Sequence, residues 1–188
     1  MERGSRRIWV TGLRVLVATA AVSFTIVIGA TAATAAGSAV GFGFVAGDVS
    51  GFSNAGAVAL NGGGAFNLSS TAGGVHAAGG FSCTADVGAG LLTGCLQGQG
   101  VRWDTEELLA STSFKCTGAA AEAPKAASTD TDAVVLQADF YRAGDANDES
   151  FTAQMIVSAR DVAPDIAGVQ NVWVQSVGCG TGEVHFGS

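Results

Sequence analysis

The stretch AVVLQADFYRAGDANDESFTAQMIVSA, residues 133–159, decides the fold class of this chain. Apolar side chains recur at every second position in residues 133–142, and the same alternation returns in residues 151–159. A period of two is the pattern of a β-strand that buries one face. The residues between the two runs are rich in Gly, Asp and Asn, which suit a tight turn. The stretch therefore predicts a β-hairpin.

The turn of this hairpin also suggests a calcium-binding loop. Asp145, Asn147 and Glu149 have the alternate spacing of oxygen ligands in such loops, but the later glycine and the distal glutamate of an EF-hand are missing. A site built from the cysteines with His76 or His185 has no CxxC or HxxxH spacing to support it. The turn is the favoured interpretation, and we predict no metal and no cofactor.

Alternation recurs more weakly along the rest of the chain, which has 28 glycines and only 2 prolines. Eight or nine strands separated by short turns predict an all-β fold, an antiparallel β-barrel of about eight strands. A two-sheet β-sandwich is the alternative, because it also buries one face of each strand. Residues 100–116 are expected to bend near 106–109, and residues 117–132 to form a mobile connection with room for a helical turn.

The N-terminal residues, 1–35, have the pattern of a secretory signal peptide. The uncharged apolar run 15–30 is followed by small-residue motifs that end at Ala35. Four arginines precede this run: Arg3, Arg6, Arg7 and Arg14. This order predicts cleavage after Ala35 and a mature single β domain of residues 36–188.

Two alternatives to this interpretation stay open. The uncharged stretch 15–36 is long enough to span a membrane, so an uncleaved anchor would also fit its length. The pair Arg6-Arg7, followed by apolar residues, is compatible with the twin-arginine export route as well as with the general one.

The charge of the mature part restricts its partners. Residues 1–35 carry four arginines and Glu2, which leaves 5 basic and 15 acidic residues and a net charge of about −10. Such a surface repels phosphate groups, so we expect no nucleic acid partner and no membrane association after signal cleavage. The composition predicts an acidic protein that is secreted or lies in the cell envelope, and it leaves the oligomeric state open.

All four cysteines lie in the mature part. An even number of cysteines in an exported chain predicts two disulfide bonds. Of the three pairings, we favour Cys83–Cys95, which closes a short loop, and Cys116–Cys179, which joins distant strands. The long-range bridge is expected to stabilise the fold by roughly 4 kcal/mol and the short one by about 3 kcal/mol.

Motifs of known chemistry are missing from the sequence. It contains no GxSxG, HExxH or SxxK motif. The glycine-rich stretches 61–66 and 178–182 do not precede a predicted helix, so we interpret them as irregularities of strands and not as phosphate-binding loops.

One set of residues on the predicted long strands is a candidate ligand-binding site: Arg102, Trp103, Asp139 and Tyr141. If one face of the sheet lines a cavity, Arg102, Asp139 and Tyr141 would supply its few polar groups, and Trp103 would supply an aromatic ring. The alternative is that Arg102, Asp139 and Tyr141 face solvent and Trp103 packs in the core. Catalytic residues stay unassigned.

Three blocks carry a resemblance to known proteins. They are GQGVRWDTEELLASTSFKCTG (98–118), ADFYRAGDANDESFTAQMIVS (138–158) and GVQNVWVQSVGCG (168–180). Together they resemble a group of small exported bacterial β-proteins of unknown function. The pattern GGGAFNLSSTAGGVHAAGGFSC (62–83) is also similar to strand pairs of barrels such as allene oxide cyclases and dirigent proteins, which implies a barrel fold more than an activity.

Three functions agree with these observations. The first is an exported protein that binds a small apolar or amphipathic ligand, and the second is a cyclase-type or isomerase-type enzyme that uses a barrel cavity. The third is a cell-envelope or extracellular protein that acts by its surface and has no pocket. A continuous cavity lined by Trp or Phe with one or two polar groups would separate the first two from the third.

Overall fold

The computed structural model describes four segments of the chain. They are residues 39–69, 74–100, 102–141 and 150–187. The predicted signal peptide, residues 1–35, therefore lies outside the described residues. No helix among the described residues is long and apolar enough to cross a membrane.

The described residues form ten β-strands and no helix, which confirms the all-β prediction. The strands are β1 (Ala39–Gly51), β2 (Ala57–Asn67), β3 (Val75–Cys83), β4 (Arg102–Leu109), β5 (Ser111–Phe114), β6 (Lys125–Ser128), β7 (Ala133–Tyr141), β8 (Ser150–Ser158), β9 (Val172–Val174) and β10 (Gly178–Gly187). Eight of them close an antiparallel barrel in the order β1-β10-β9-β8-β7-β4-β3-β2. The strands β5 and β6 form a separate two-stranded sheet. The predicted antiparallel β-barrel is therefore confirmed, and the alternative of a two-sheet β-sandwich is wrong.

The hairpin predicted from residues 133–159 is confirmed. Strands β7 and β8 pair without interruption from Ala133↔Ser158 to Tyr141↔Ser150. The turn between them, with Asp145, Asn147 and Glu149, lies outside the described residues. Its interpretation as a turn and not a calcium loop stays a prediction.

Apolar side chains pack the interior of the barrel. One trio of phenylalanine rings lies toward the end where β1 begins, and a second trio lies toward the end where β3 and β7 finish. They are Phe42, Phe66 and Phe186, and Phe81, Phe140 and Phe151. Trp103 is fully buried between them, with its ring 6.0 Å from that of Phe44. An eight-stranded barrel is just wide enough for side chains to fill in this way.

The glycines of β2 and β3 make room for the Trp103 indole. Its Nε1–H donates a hydrogen bond of 2.9 Å to the carbonyl of Asn61 on β2. A Cβ at Gly79 would lie 2.6 Å from the Trp103 Nε1 atom, and a Cβ at Gly62 would lie 2.6 Å from its Cζ2 atom. Because real Cβ atoms do not approach so closely, this ring requires both Gly79 and Gly62, of which Gly62 lies in a stretch interpreted as a strand irregularity.

A second layer covers one side of the barrel. The β5–β6 sheet and the segment 159–171 pack against the outer faces of β7, β8 and β9. The outward-facing residues Val135, Ile156 and Trp173 are therefore buried, and their strand neighbours are buried inside the barrel. These three strands are covered on both faces.

The route from β4 to β7 confirms one expectation and corrects another. The segment 100–116 does bend, with a β-bulge between Thr105 and Glu107 and a break in the strand at Ala110. The connection predicted for residues 117–132, with room for a helical turn, contains no helix but a hydrogen-bonded turn, in which the Glu122 N–H donates to the Ala119 carbonyl, and then the strand β6. The sequence of β6 is Lys-Ala-Ala-Ser, which has no residue of strong strand preference, so pairing with β5 holds it in place.

Both predicted disulfide bonds are present. Cys83 and Cys95 close the loop after β3, with their Cα atoms 6.3 Å apart. Cys116 and Cys179 join the end of the β5 segment to β10, with their Cα atoms 4.8 Å apart. The second bridge therefore ties the outer layer to the barrel wall.

The packing of Trp103 predicts the effect of two glycine substitutions. Gly79→Ala should lower the free energy of unfolding by about 3 kcal/mol, because the added methyl group overlaps the indole and the neighbouring strand. Gly43→Ala is the control, since its Cβ would meet nothing closer than 3.9 Å, and should change stability by less than about 0.5 kcal/mol. Urea unfolding of both variants measures the difference, and equal stabilities would contradict this role of Gly79.

Candidate functional site

The predicted ligand-binding residues are divided between the two sides of the barrel wall. Trp103 points into the interior, whereas Arg102 and Tyr141 lie on the outer face. The Arg102 guanidinium lies over the Tyr141 ring, 4.5 Å from its centroid, and its Nη1 atom is 3.4 Å from the Asp104 carboxylate. These residues do not line one cavity inside the barrel. A role in binding stays a prediction, and it would have to be exerted from the outer face.

Asp139 lies on the same outer face and belongs to an acidic group. Its carboxylate accepts a hydrogen bond of 2.6 Å from the Thr152 hydroxyl. A hydrogen bond with Asp139 raises the pKa of the Glu106 carboxyl, and burial and the charges of Asp139 and Glu107 raise it further. Within the described part of the chain no three His, Cys, Asp or Glu side chains are grouped so that they could hold a metal ion.

Among the cavities that open onto the surface of the described residues, three differ in what lines them. One of about 380 Å³ lies at the junction of β3 and β4, and one of about 250 Å³ lies beside β6 and the Asp130–Arg160 ion pair. The third, of about 320 Å³, lies between β5 and the barrel wall, and we name it the outer groove. It is lined by Phe52, Ser113, Phe114, Lys115, Pro124, Gln154, Trp173, Gln175 and Ser176. It alone of the three combines aromatic rings with side-chain amides, which is the composition of ligand pockets.

Trp173 forms the floor of the outer groove and fixes β5 above it. Its ring lies 5.4 Å from that of Phe114, and both side chains are buried. The Trp173 Nε1–H donates a hydrogen bond of 2.8 Å to the carbonyl of Lys115. The indole therefore sets the distance between the β5 segment and the barrel.

Two glutamines provide hydrogen-bond donors in the groove. The Gln154 N–H donates to the Gln175 side-chain oxygen over 3.0 Å, and the Gln175 N–H donates to the Gln154 carbonyl over 2.9 Å. The Gln154 side-chain oxygen accepts the Thr112 hydroxyl. The side-chain oxygens of both glutamines are thus occupied, and their Nε2 groups donate to no other described residue. These groups are available to a ligand.

Ser176 lies at the edge of the groove in a strained conformation. Its φ angle is 60°, and apart from Asn54 it is the one described residue other than glycine with a positive φ. A left-handed conformation costs a residue with a Cβ about 1 kcal/mol or more, and glycine would avoid this cost. Strain of this kind is often found at functional sites.

A partly buried ion-pair network lies beside the outer wall of the groove. The Glu122 carboxylate accepts hydrogen bonds from the N–H groups of Cys116 and Thr117, from the Thr117 hydroxyl, and from Lys125 at 2.9 Å. Lys125 also contacts the Asp165 carboxylate at 3.0 Å. Burial alone would raise the pKa of Glu122, but these hydrogen bonds outweigh it and lower the pKa to about 2.

Sequence patterns missed the outer groove because its lining comes from five separate parts of the chain. Phe52 follows β1 and Pro124 precedes β6, while the other residues lie in β5, β8 and β9 or directly after β5 and β9. The one available signal was that Gln154 lies within the alternating run 151–159 and Gln175 follows the apolar run 172–174.

Comparison of the chain with protein-family models, curated proteins and solved structures finds no match. The resemblances of residues 98–118, 138–158 and 168–180 and of the hairpin 62–83 therefore stay predictions.

The low pKa of Glu122 predicts a loss of stability in acid. Because the folded state lowers this pKa from 4.5 to about 2, the contribution of Glu122 is complete above about pH 4.5 and is lost as the pH falls through about 2. Urea unfolding should show that Glu122→Gln is less stable than the parent protein by about 3 kcal/mol at pH 7, and that this difference shrinks toward pH 2.

The exposed Glu183 provides the control for this experiment. Glu183→Gln should leave the free energy of unfolding close to that of the parent protein at both pH values. A difference for Glu122→Gln that does not depend on pH would show that the ionised carboxylate is not the stabilising group.

Proposed function

We propose that residues 36–188 are an exported binding protein that holds an amphipathic ligand in the outer groove. The observation that carries the proposal is the lining of this groove, where partly buried Phe52 and exposed Pro124 lie beside the amides of Gln154 and Gln175. An apolar wall with a few hydrogen-bonding groups suits a ligand that has one apolar and one polar side.

The packing of the interior supports a site outside the barrel. Trp103, Phe66, Phe140 and Met155 are among the largest fully buried side chains there. A ligand in this space would have to displace a close-packed core, at a cost of several kcal/mol. A ligand in the outer groove would not have to displace these core side chains.

An enzymatic role of cyclase or isomerase type has less support from the same groove. General acid–base catalysis needs a titratable side chain close to the reacting atoms. Lys115 is the one such residue in the lining, and its Nζ atom lies 3.4 Å from the carbonyl of Ala119. Ligand binding does not require a titratable side chain in the groove, whereas general acid–base catalysis does.

Export agrees with the two disulfide bonds and with the signal-like sequence of residues 1–35. Disulfide bonds persist in oxidising compartments outside the cytosol. We therefore propose that the domain acts after secretion or in the cell envelope. Its net charge of about −10 would keep it soluble and away from anionic surfaces.

Native mass spectrometry tests this function. The mature protein, purified without reductant and incubated with a concentrate of its culture medium that contains both lipids and peptides, should carry an added mass that leaves on denaturation. Gln175→Leu should lower the bound fraction about fivefold, because it removes a hydrogen-bond donor from the groove.

Arg102→Ala is the matched control, because Arg102 lies outside the outer groove and belongs to the site predicted from the sequence. It should bind as the parent protein does. Loss of binding in Arg102→Ala alone would move the site to Arg102 and Tyr141. A protein that stays bare in the concentrate would contradict the proposal and favour a protein that acts by its surface.

A further inference from the structure

One edge of β5 has no strand beside it. The β5–β6 sheet has two strands, and none of the described residues adds a third strand to it. The eight barrel strands, by contrast, form a closed ring. An unpaired edge presents a row of N–H and C=O groups that can pair with another chain.

The register of the sheet identifies the groups on this edge. The Thr129 N–H donates to the Ala110 carbonyl over 3.0 Å, and the pairing continues as Ser111↔Ser128 and onward to Phe114. Hydrogen-bonded and non-hydrogen-bonded pairs alternate in an antiparallel ladder. The backbone groups of Ser111 and Ser113 therefore point away from β6.

This edge forms one wall of the outer groove. Ser113 and Lys115 line the groove from β5 and the residue after it, and Gln154 and Gln175 line it from the barrel. The Lys115 carbonyl is occupied by the Trp173 indole, but the N–H groups of Ser111 and Ser113 have no acceptor in the described part of the chain. A partner strand paired with β5 would therefore also lie close to the side-chain Nε2 groups of Gln154 and Gln175.

The two edges of the small sheet differ in their protection. β6 follows Pro124 directly and begins with Lys125, and proline and charge are residues that prevent pairing at an edge. The sequence of β5 is Ser-Thr-Ser-Phe, which has neither. Only the edge that faces the groove is left open to a partner strand.

We propose that the ligand of the outer groove is an extended, uncharged segment of another polypeptide, which adds to β5 as a third strand. This inference rests on the function proposed above and names its ligand class. Main-chain hydrogen bonds to β5 would supply affinity, and an apolar side chain of the segment would contact Phe52 or Pro124.

Charge decides between the occupants. The lining of the groove has no carboxylate, so a basic segment would lose hydration there without gaining a counter-ion. The net charge of about −10 on residues 36–188 repels an acidic segment. A second copy of this chain would bring together two domains that each carry about ten negative charges. An uncharged segment of a different protein meets neither obstacle.

Selection from a random heptapeptide library displayed on phage tests the inference on the mature, unreduced protein. We expect enrichment of uncharged, strand-forming peptides. A synthetic enriched peptide with N-methyl groups at alternate positions in one register should bind about tenfold more weakly or worse, and the analogue methylated in the other register should keep its affinity. Equal binding of the two analogues would overturn pairing through the backbone.

Substitutions on β5 locate the pairing. Ser113→Pro removes an N–H that faces the groove and spares the ladder with β6, so it should weaken the peptide about tenfold and leave the thermal midpoint nearly unchanged. Ser113→Ala keeps the N–H and should bind within about twofold of the parent protein. If Ser113→Pro does not fold, Ser111→Pro provides the same test two pairs away in the ladder.

Three results would overturn the inference: no enriched peptide, peptides that bind Ser113→Pro as well as the parent protein, or a dimer of the domain that dissociates when β5 is changed. The phage selection can fail while native mass spectrometry still detects a ligand from the culture medium whose binding depends on Gln175. That result would leave the proposed function intact and refute only this ligand class.

Discussion

The Trp103 indole is the contact on which the barrel depends. Among the described residues, strands β3 and β4 pair at two positions, Ala78↔Asp104 and Gly79↔Trp103, so the described backbone ladder is short at this junction. The indole spans the junction from the inside, because it extends from β4 over Gly79 and Gly62 and donates to the Asn61 carbonyl. A close-packed ring and a satisfied hydrogen bond add to this short ladder. The same ring fills the middle of the interior, so a ligand bound there would have to displace it.

Trp173 has the corresponding role outside the barrel. It packs the outer layer onto the wall and joins it to β5 through the Lys115 carbonyl. The Cys116–Cys179 bridge and the Glu122–Lys125 pair hold the neighbouring turn. The small sheet is thus fixed at one side and free at the other. The outer groove is the space that remains beside the free edge of β5.

The predictable part of the fold is the part that depends on local patterns. Alternation in residues 133–142 and 151–159 indicated the hairpin, and the even cysteine count indicated the bridges. β6 was missed because its strand conformation depends on pairing with β5. The candidate residues Arg102 and Trp103 are neighbours in sequence and therefore face opposite sides of the sheet. The outer groove could not be predicted, because it exists only when five distant parts of the chain meet.

The two tryptophans of residues 36–188 allow one direct measurement. In a ¹H–¹⁵N spectrum, the indole N–H of Trp103 reports on the barrel interior and that of Trp173 reports on the floor of the outer groove. The spectrum is recorded before and after addition of the concentrated culture medium. We expect the Trp173 indole signal to shift and the Trp103 signal to stay in place. A shift of the Trp103 signal with an unchanged Trp173 signal would instead place the ligand inside the barrel and refute binding in the outer groove.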